Sequence, residues 1–204
     1  MNKISKLTLS DEEQQLVNNS NWILTKRIII DKVSLFFGNL SERQKIIIEN
    51  KEALLPAEIM QLGAKISKGE NYLQLPYVIL DYPRCFEVDN TFAVRTMFWW
   101  GNFFSVTLLL SGIYKEKYQE KLCIGNALLL QDDLFVCIHE SCWHHHFNED
   151  NYIAIKQLDH NELEKIIRQK QFVKLAVKFP LQQWEDMHLL LERSFDEMIE
   201  FLKH

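Results

Sequence analysis

Glycine and proline are scarce in this chain: six glycines and four prolines in 204 residues. The Gly-rich turns that lay backbone amides on phosphates are missing, since neither G-x-G-x-x-G nor G-x-x-x-x-G-K-[ST] occurs. Dinucleotide and Walker-type nucleotide binding are therefore not expected. Neither an internal repeat nor a low-complexity segment is present. Cysteine is also sparse. Four residues, Cys85, Cys123, Cys137 and Cys142, form no Cys-x-x-Cys pair and no dense framework. The opening MNKISKLTLSDEEQQ lacks an apolar run of signal-peptide length. Reduced thiols in a cytoplasm are the matching expectation. No window reaches the roughly 18 uninterrupted apolar residues of a membrane span, so no membrane partner is expected. Surplus cations are missing too. Lys plus Arg number 23 against 28 Asp plus Glu, a net charge of −5. A dedicated nucleic-acid protein needs phosphate-neutralising Lys and Arg, so none of that class is expected.

What is present is apolar material. The apolar fraction is 47% and the charged fraction 25%, values of a globular protein. A chain of this length buries a core large enough to fold without disulfides or metal. Ser10 with Glu13 is a capping box opening a helix over 11–18. A second helix over 21–37 carries Trp22, Ile29, Val33 and Phe36 on one stripe, with Ile28, Ile30, Leu35 and Phe37 beside it. An apolar arc that wide implies burial on more than one side. Gly38 suits the end of this helix, Ser41 and Gln44 suit the start of a third to Asn50, and Pro56 opens a fourth ending near Gly63. KISKGENY, Lys65–Tyr72, reads as a solvated turn, or as an anion-binding loop through Lys65, Lys68 and Gly69.

Strands are expected at 76–82, 91–100, 103–111, 134–140, 152–157 and 172–179. Residues 114–130 read as helix turning into strand. Asp159 caps a helix over 160–170. In 181–202, Leu181, Trp184, His188, Leu191, Phe195, Met198 and Leu202 follow a 3,4 spacing. A coiled-coil seam and a helix lying across a sheet both fit; the sheet-packed helix is favoured, because Trp and His make poor zipper residues. His188 is expected to be a core or edge histidine. The whole predicts one α+β domain over 1–204. N-terminal helices (1–66) lead into a central antiparallel meander (72–158), then a C-terminal strand and long helix packed on the sheet (159–204). This element order, with ENYLQLPYVILDYPR and its D-Y-x-R core, resembles the actin-capping protein subunits. The resemblance covers fifteen residues and implies a layered fold, not a function.

The stretch RTMFWWGNFFSVTLLLSG, Arg95–Gly112, holds five aromatics between Phe98 and Phe104. Gly101-Asn102 fits a two-residue type II′ hairpin. That turn would set Trp100 opposite Phe103 and gather Arg95, Met97, Trp99, Phe104, Val106, Leu108 and Leu110 on the core face. Arg95 then needs a buried acceptor, and Asp81 is the candidate.

The chemically richest segment is CIHESCWHHHFNED, Cys137–Asp150. Imidazoles and thiolates suit zinc, with His144, His146 and Cys142 as candidate ligands, although the spacing matches no standard site. A thiolate–imidazolium pair of Cys137 or Cys142 with His139 or His144, and acid–base work by His139 with Glu140 or Glu149, are further alternatives. Two functional classes stay open. The favoured one is a non-enzymatic binding protein, a homo-oligomer or partner-binder, acting through the sheet face or the C-terminal helix. The other is a small-ligand or metal-dependent enzyme whose pocket gathers Asp81, Arg95, Trp100 and His139 with the segment to His146.

Overall fold

The computed structural model describes residues 8–51, 55–123, 128 and 132–203. Three helices come first: α1 (Asp11–Asn18), α2 (Ser20–Glu49) and α3 (Ala57–Met60). Strands β1 (Lys65–Tyr72), β2 (Leu75–Phe86), β3 (Thr91–Trp99) and β4 (Phe103–Ser111) form a meander. Then follow α4 (Ile113–Cys123), β5 (Phe135–Cys137), β6 (Tyr152–Ala154), α5 (His160–Gln169), β7 (Phe172–Pro180) and α6 (Met187–Glu200). Among these residues the strands make one antiparallel sheet of seven, ordered β1-β2-β3-β4-β7-β5-β6. The fold is the expected α+β arrangement. No helix of the described residues is long and apolar enough to cross a membrane.

The helices cover one face of the sheet. Ile30, Val33, Phe37, Leu40 and Ile48 of α2 meet Leu191, Phe195 and Met198 of α6 over Val78, Leu80, Phe98, Phe104, Val106 and Leu108. This core cluster runs in sequence from Ile30 to Leu202. Burial at about 25 cal/mol per Å2 of apolar surface makes it the main source of stability. The α6 stripe is spent here, as a helix on a sheet rather than a coiled-coil seam. His188 is exposed, one position outside the buried line of Met187 and Leu191.

Local signals and tertiary packing disagree in three places. α2 does not stop at Gly38 but runs 30 residues. Its buried positions Ile30, Val33, Phe37, Leu40, Gln44 and Ile48 keep helical spacing straight through the glycine. Packing along that whole stripe outweighs a cost of about 1 kcal/mol for one helical glycine. Ser41 donates its hydroxyl back to the Gly38 carbonyl at 2.7 Å instead of capping a new helix. KISKGENY is not a turn but the edge strand β1, and its Lys68 is paired with Asp31 at 2.8 Å rather than open to an anion. The strand expected at the end of 114–130 falls largely outside the described residues.

The third difference is the hairpin. Trp99 pairs with Phe103 and Phe98 with Phe104, so the loop has three residues, with Gly101 at φ +71°. A slip of one residue moves a whole strand's side chains to the other face. The observed register sends Phe104, Val106, Leu108 and Leu110 to the helices with Phe98 and Val94. Ser105 and Thr107 join Arg95, Met97 and Trp99 on the opposite face. The expected pairing would have set the Arg95 guanidinium among Val106 and Leu108; the observed one gathers the polar groups together, where they satisfy one another.

Candidate functional site

The face of the sheet away from the helices carries a row of aligned residues: Lys65, Asp81, Arg95, Thr107, Ala176, Phe135 and Ala154. An apolar cluster flanks the row on each side. Ile79, Met97 and Trp99 lie toward the hairpin, and Leu109, Cys137, Tyr152 and Phe172 toward the far end. Between β2 and β3 the pairing slips after Asp81, across Tyr82-Pro83. A bulge is where a strand tolerates proline, which has no amide to donate. Its effect here is to change which residues face outward. Cys85 turns into the helix-side core, and Phe86 comes round to the outer face beside Arg95.

Arg95 sits at the centre of this face. Its Nε and Nη2 donate to both carboxylate oxygens of Asp81, at 2.7 and 3.0 Å. Nη1 lies 3.3 Å from His145 Nε2. Because guanidinium only donates, that ring nitrogen is the acceptor and His145 carries its proton on Nδ1. Burial, reinforced by the positive charges of Lys174 and Arg95, holds His145 well below the usual histidine range. The rings of Phe86 and Trp143 flank the guanidinium at 5.8 and 5.9 Å. A cleft of about 550 Å3 opens above it, walled by Tyr72, Tyr77, Phe86, Trp143, Ile79 and Met97, with Lys65, Ser67, Asp81, Arg95 and His145 supplying the polar surface. Gly69 lies against one of its walls: a Cβ there would come 2.3 Å from Tyr77 Cζ, so the Tyr77 ring would have to move aside.

One rim of the cleft is the segment 138–151, which has little regular structure and is tied down by side chains. Tyr72 Oη accepts from the amides of His145 and His146 at 2.6 and 3.0 Å. Lys174 on β7 is only 2% exposed. Its ammonium donates to the carbonyls of Cys142, at 2.8 Å, and His144, and lies 5.2 Å from the Tyr152 ring centre. Burial pushes Lys174 down to about 8, so it stays protonated at neutral pH and keeps both bonds. Asn151 donates to the His146 carbonyl and accepts from the Cys137 thiol at 3.4 Å.

The structure thus brings Asp81, Arg95 and a histidine of the expected segment into one cleft, but the histidine is His145. His139 lies outside it, its ring against that of His144 at 4.0 Å and its Nδ1 accepting from the Ser141 amide at 2.9 Å. Trp100 is on the helix side, packed on Trp22 and Phe98 at 6.3 and 6.2 Å. One position past Trp99, it falls by strand alternation on the side of Phe98, opposite Arg95. His144 and His146 have ring centres 5.5 Å apart. Cys142 packs against the outer-face cluster of Leu109, Cys137, Tyr152, Phe172 and Ala176. Among the described residues no three His, Cys, Asp or Glu side chains converge as a metal site, so zinc is not carried forward. Burial pushes the Cys137 and Cys142 thiols up, away from the thiolate a nucleophile needs. Glu140 faces solvent and pairs with Lys170 at 3.5 Å rather than with His139.

Sequence reading missed Tyr72, Phe86, Lys65 and Lys174 as parts of this site, and it named the segment that holds Trp143 and His145 without singling out either residue. A signal existed for Lys174: it is the lone cation among Phe172, Val173, Leu175, Ala176 and Val177. Comparison with known family models, curated proteins and solved structures finds no match for this chain, and the resemblance to actin-capping subunits has no support there.

Proposed function

We propose that this is a non-enzymatic binding protein whose cleft over Arg95 takes a small ligand with a flat apolar body and an anionic group. The observation that carries the reading is the guanidinium itself. Three of its five N–H groups are committed, two to Asp81 and one to His145, and the other two have no partner among the described residues. Asp81 and His145 fix its plane, so little is lost in ordering it when an anion arrives. Lys65 stands on the same face in register with Asp81. Two cations against one carboxylate, with His145 neutral, give the cleft net positive charge. Tyr72, Tyr77, Phe86 and Trp143 supply stacking walls. The cleft residues provide recognition groups, and the buried thiols outside it are not activated, which favours binding over covalent chemistry. The α6 stripe is already used within the chain, as is the outer face beneath 138–151.

Calorimetric titration with a series of aryl carboxylates and aryl phosphates, set against the matching uncharged amides, tests the proposal. Saturable binding is expected for the anions and not for the amides. Lys65→Glu and Trp143→Ala, both at exposed positions, should each weaken that binding about tenfold or more, corresponding to roughly 1.4 kcal/mol. Binding of neither class, or affinities untouched by both substitutions, overturns the reading.

A further inference from the structure

Strand register sets the dimensions of the cleft over Arg95. The outward positions of β1, β2 and β3 form three rows. The first is Lys65, Asp81 and Arg95; the second is Ser67, Ile79 and Met97; the third is Gly69, Tyr77 and Trp99. Successive rows lie about 6.7 Å apart, two residues along a strand. The third row is closed. The Tyr77 ring lies across Gly69, and Tyr72 stands against Trp99 and Tyr77, with ring centres 5.1 and 6.3 Å away. Neither Gly69 nor Trp99 lines the cleft. At the other end Phe86 and Trp143 flank the guanidinium. Between the tyrosines and the guanidinium only the middle row is open. Its floor is the buried pair Ile79 and Met97, and Ser67 stands at its side. The Ser67 hydroxyl has no hydrogen-bond partner among the described residues.

One row takes one aromatic ring. A carboxylate bonded directly to that ring reaches a guanidinium about one row away. A second ring in line with the carboxylate would run into Tyr72 and Tyr77. The charge of the site sets the charge of the ligand. Lys65 and Arg95 against Asp81, with His145 neutral, leave one positive charge, and one carboxylate cancels it. A phosphate ester dianion would leave a surplus negative charge beside Asp81, among rings that offer it no partner.

We propose that the ligand of this cleft is the monocarboxylate of a single aromatic ring, with a hydroxyl on the edge that meets Ser67. Tyr72 and Tyr77 limit its length, and Ser67 reads its substituent. This specificity rests on the binding role proposed for the Arg95 cleft and narrows its ligand.

Calorimetric titration of the full chain at neutral pH with benzoate, meta-hydroxybenzoate, para-phenylbenzoate and phenyl phosphate tests it. Meta-hydroxybenzoate should bind about fivefold tighter than benzoate through its added hydrogen bond. Phenyl phosphate and para-phenylbenzoate should each bind about tenfold more weakly than benzoate. Ser67→Ala should erase the difference between meta-hydroxybenzoate and benzoate. Tyr77→Ala, at a half-buried position, should erase the penalty of the second ring. Phenyl phosphate or para-phenylbenzoate bound by the parent chain as tightly as benzoate overturns the ligand assignment and leaves the binding role of the cleft standing. A hydroxyl advantage that is absent from the parent chain, or that persists in Ser67→Ala, overturns the role of Ser67. Binding of none of the four anions overturns the binding role itself.

Discussion

At the scale of single residues, the buried polar groups around Arg95 set how the protein responds to acid. His145 is held well below the usual histidine range by burial, with Lys174 and Arg95 adding to it. Burial also lowers His146, against a partial pull from Asp150. As pH falls below about 6.5 the unfolded chain takes up protons at these positions and the folded chain does not. The unfolded state then binds more protons, so stability falls with falling pH, by at most about 1.4 kcal/mol per pH unit for each histidine. Thermal unfolding should therefore shift to lower temperature between pH 7 and pH 5. His145→Gln keeps an acceptor for Arg95 without titrating, and should make that decline shallower. A parent midpoint that stays flat across the interval contradicts the assignment. The Asp81–Arg95 pair was legible from one rule, that a guanidinium in an apolar strand needs an acceptor. Its third partner was not, because a run of three histidines does not say which one a loop will turn inward.

At the scale of elements, the capping signals at Ser10 and Asp159 held while that at Ser41 lies inside α2, and the worth of a cap depends on what its helix buries. The Ser10–Glu13 capping box forms as expected, and the expected N-cap Asp159 forms one with Glu162 as well. α5 buries Leu163 and Ile167, whereas α1 buries no residue. Asp159→Ala should therefore lower the stability of the whole chain by about 1 kcal/mol in denaturant unfolding. Ser10→Ala should leave that midpoint in place and only quicken amide exchange within α1, since local fraying there releases nothing from the core. Equal effects of the two substitutions on global unfolding would contradict this. The glycine signal at Gly38 failed for the complementary reason. A helix end is a weak local preference, and the continuous contact of α2 with the sheet outweighs it.

At the scale of the whole molecule, an irregular segment lies across the outer face of the sheet, and one buried cation holds much of it. Lys174→Met removes the donor to the Cys142 and His144 carbonyls while preserving the bulk of the side chain. The expected cost is about 1–3 kcal/mol from the unpaired carbonyls. Amide exchange should speed up through 138–151 and stay slow in β3 and β4. If exchange in that segment does not change, Tyr72 and Asn151 suffice to hold it.

The amino-acid sequence by itself determined the class of elements, most of their positions, the helix caps at Ser10 and Asp159 and the need of Arg95 for a carboxylate. Each of these follows from period, propensity or satisfaction of a polar group within a few residues. Tertiary structure decided the hairpin register, the fate of Gly38, the strand at Lys65–Tyr72 and the membership of the cleft. A one-residue slip costs little locally but reverses which face meets the helices. A bulge at Tyr82-Pro83 redirects Phe86 for reasons that lie in the neighbouring strand. The residues that shape the cleft come from β1, β2, β3 and the segment before β6, and only the assembled sheet puts them side by side.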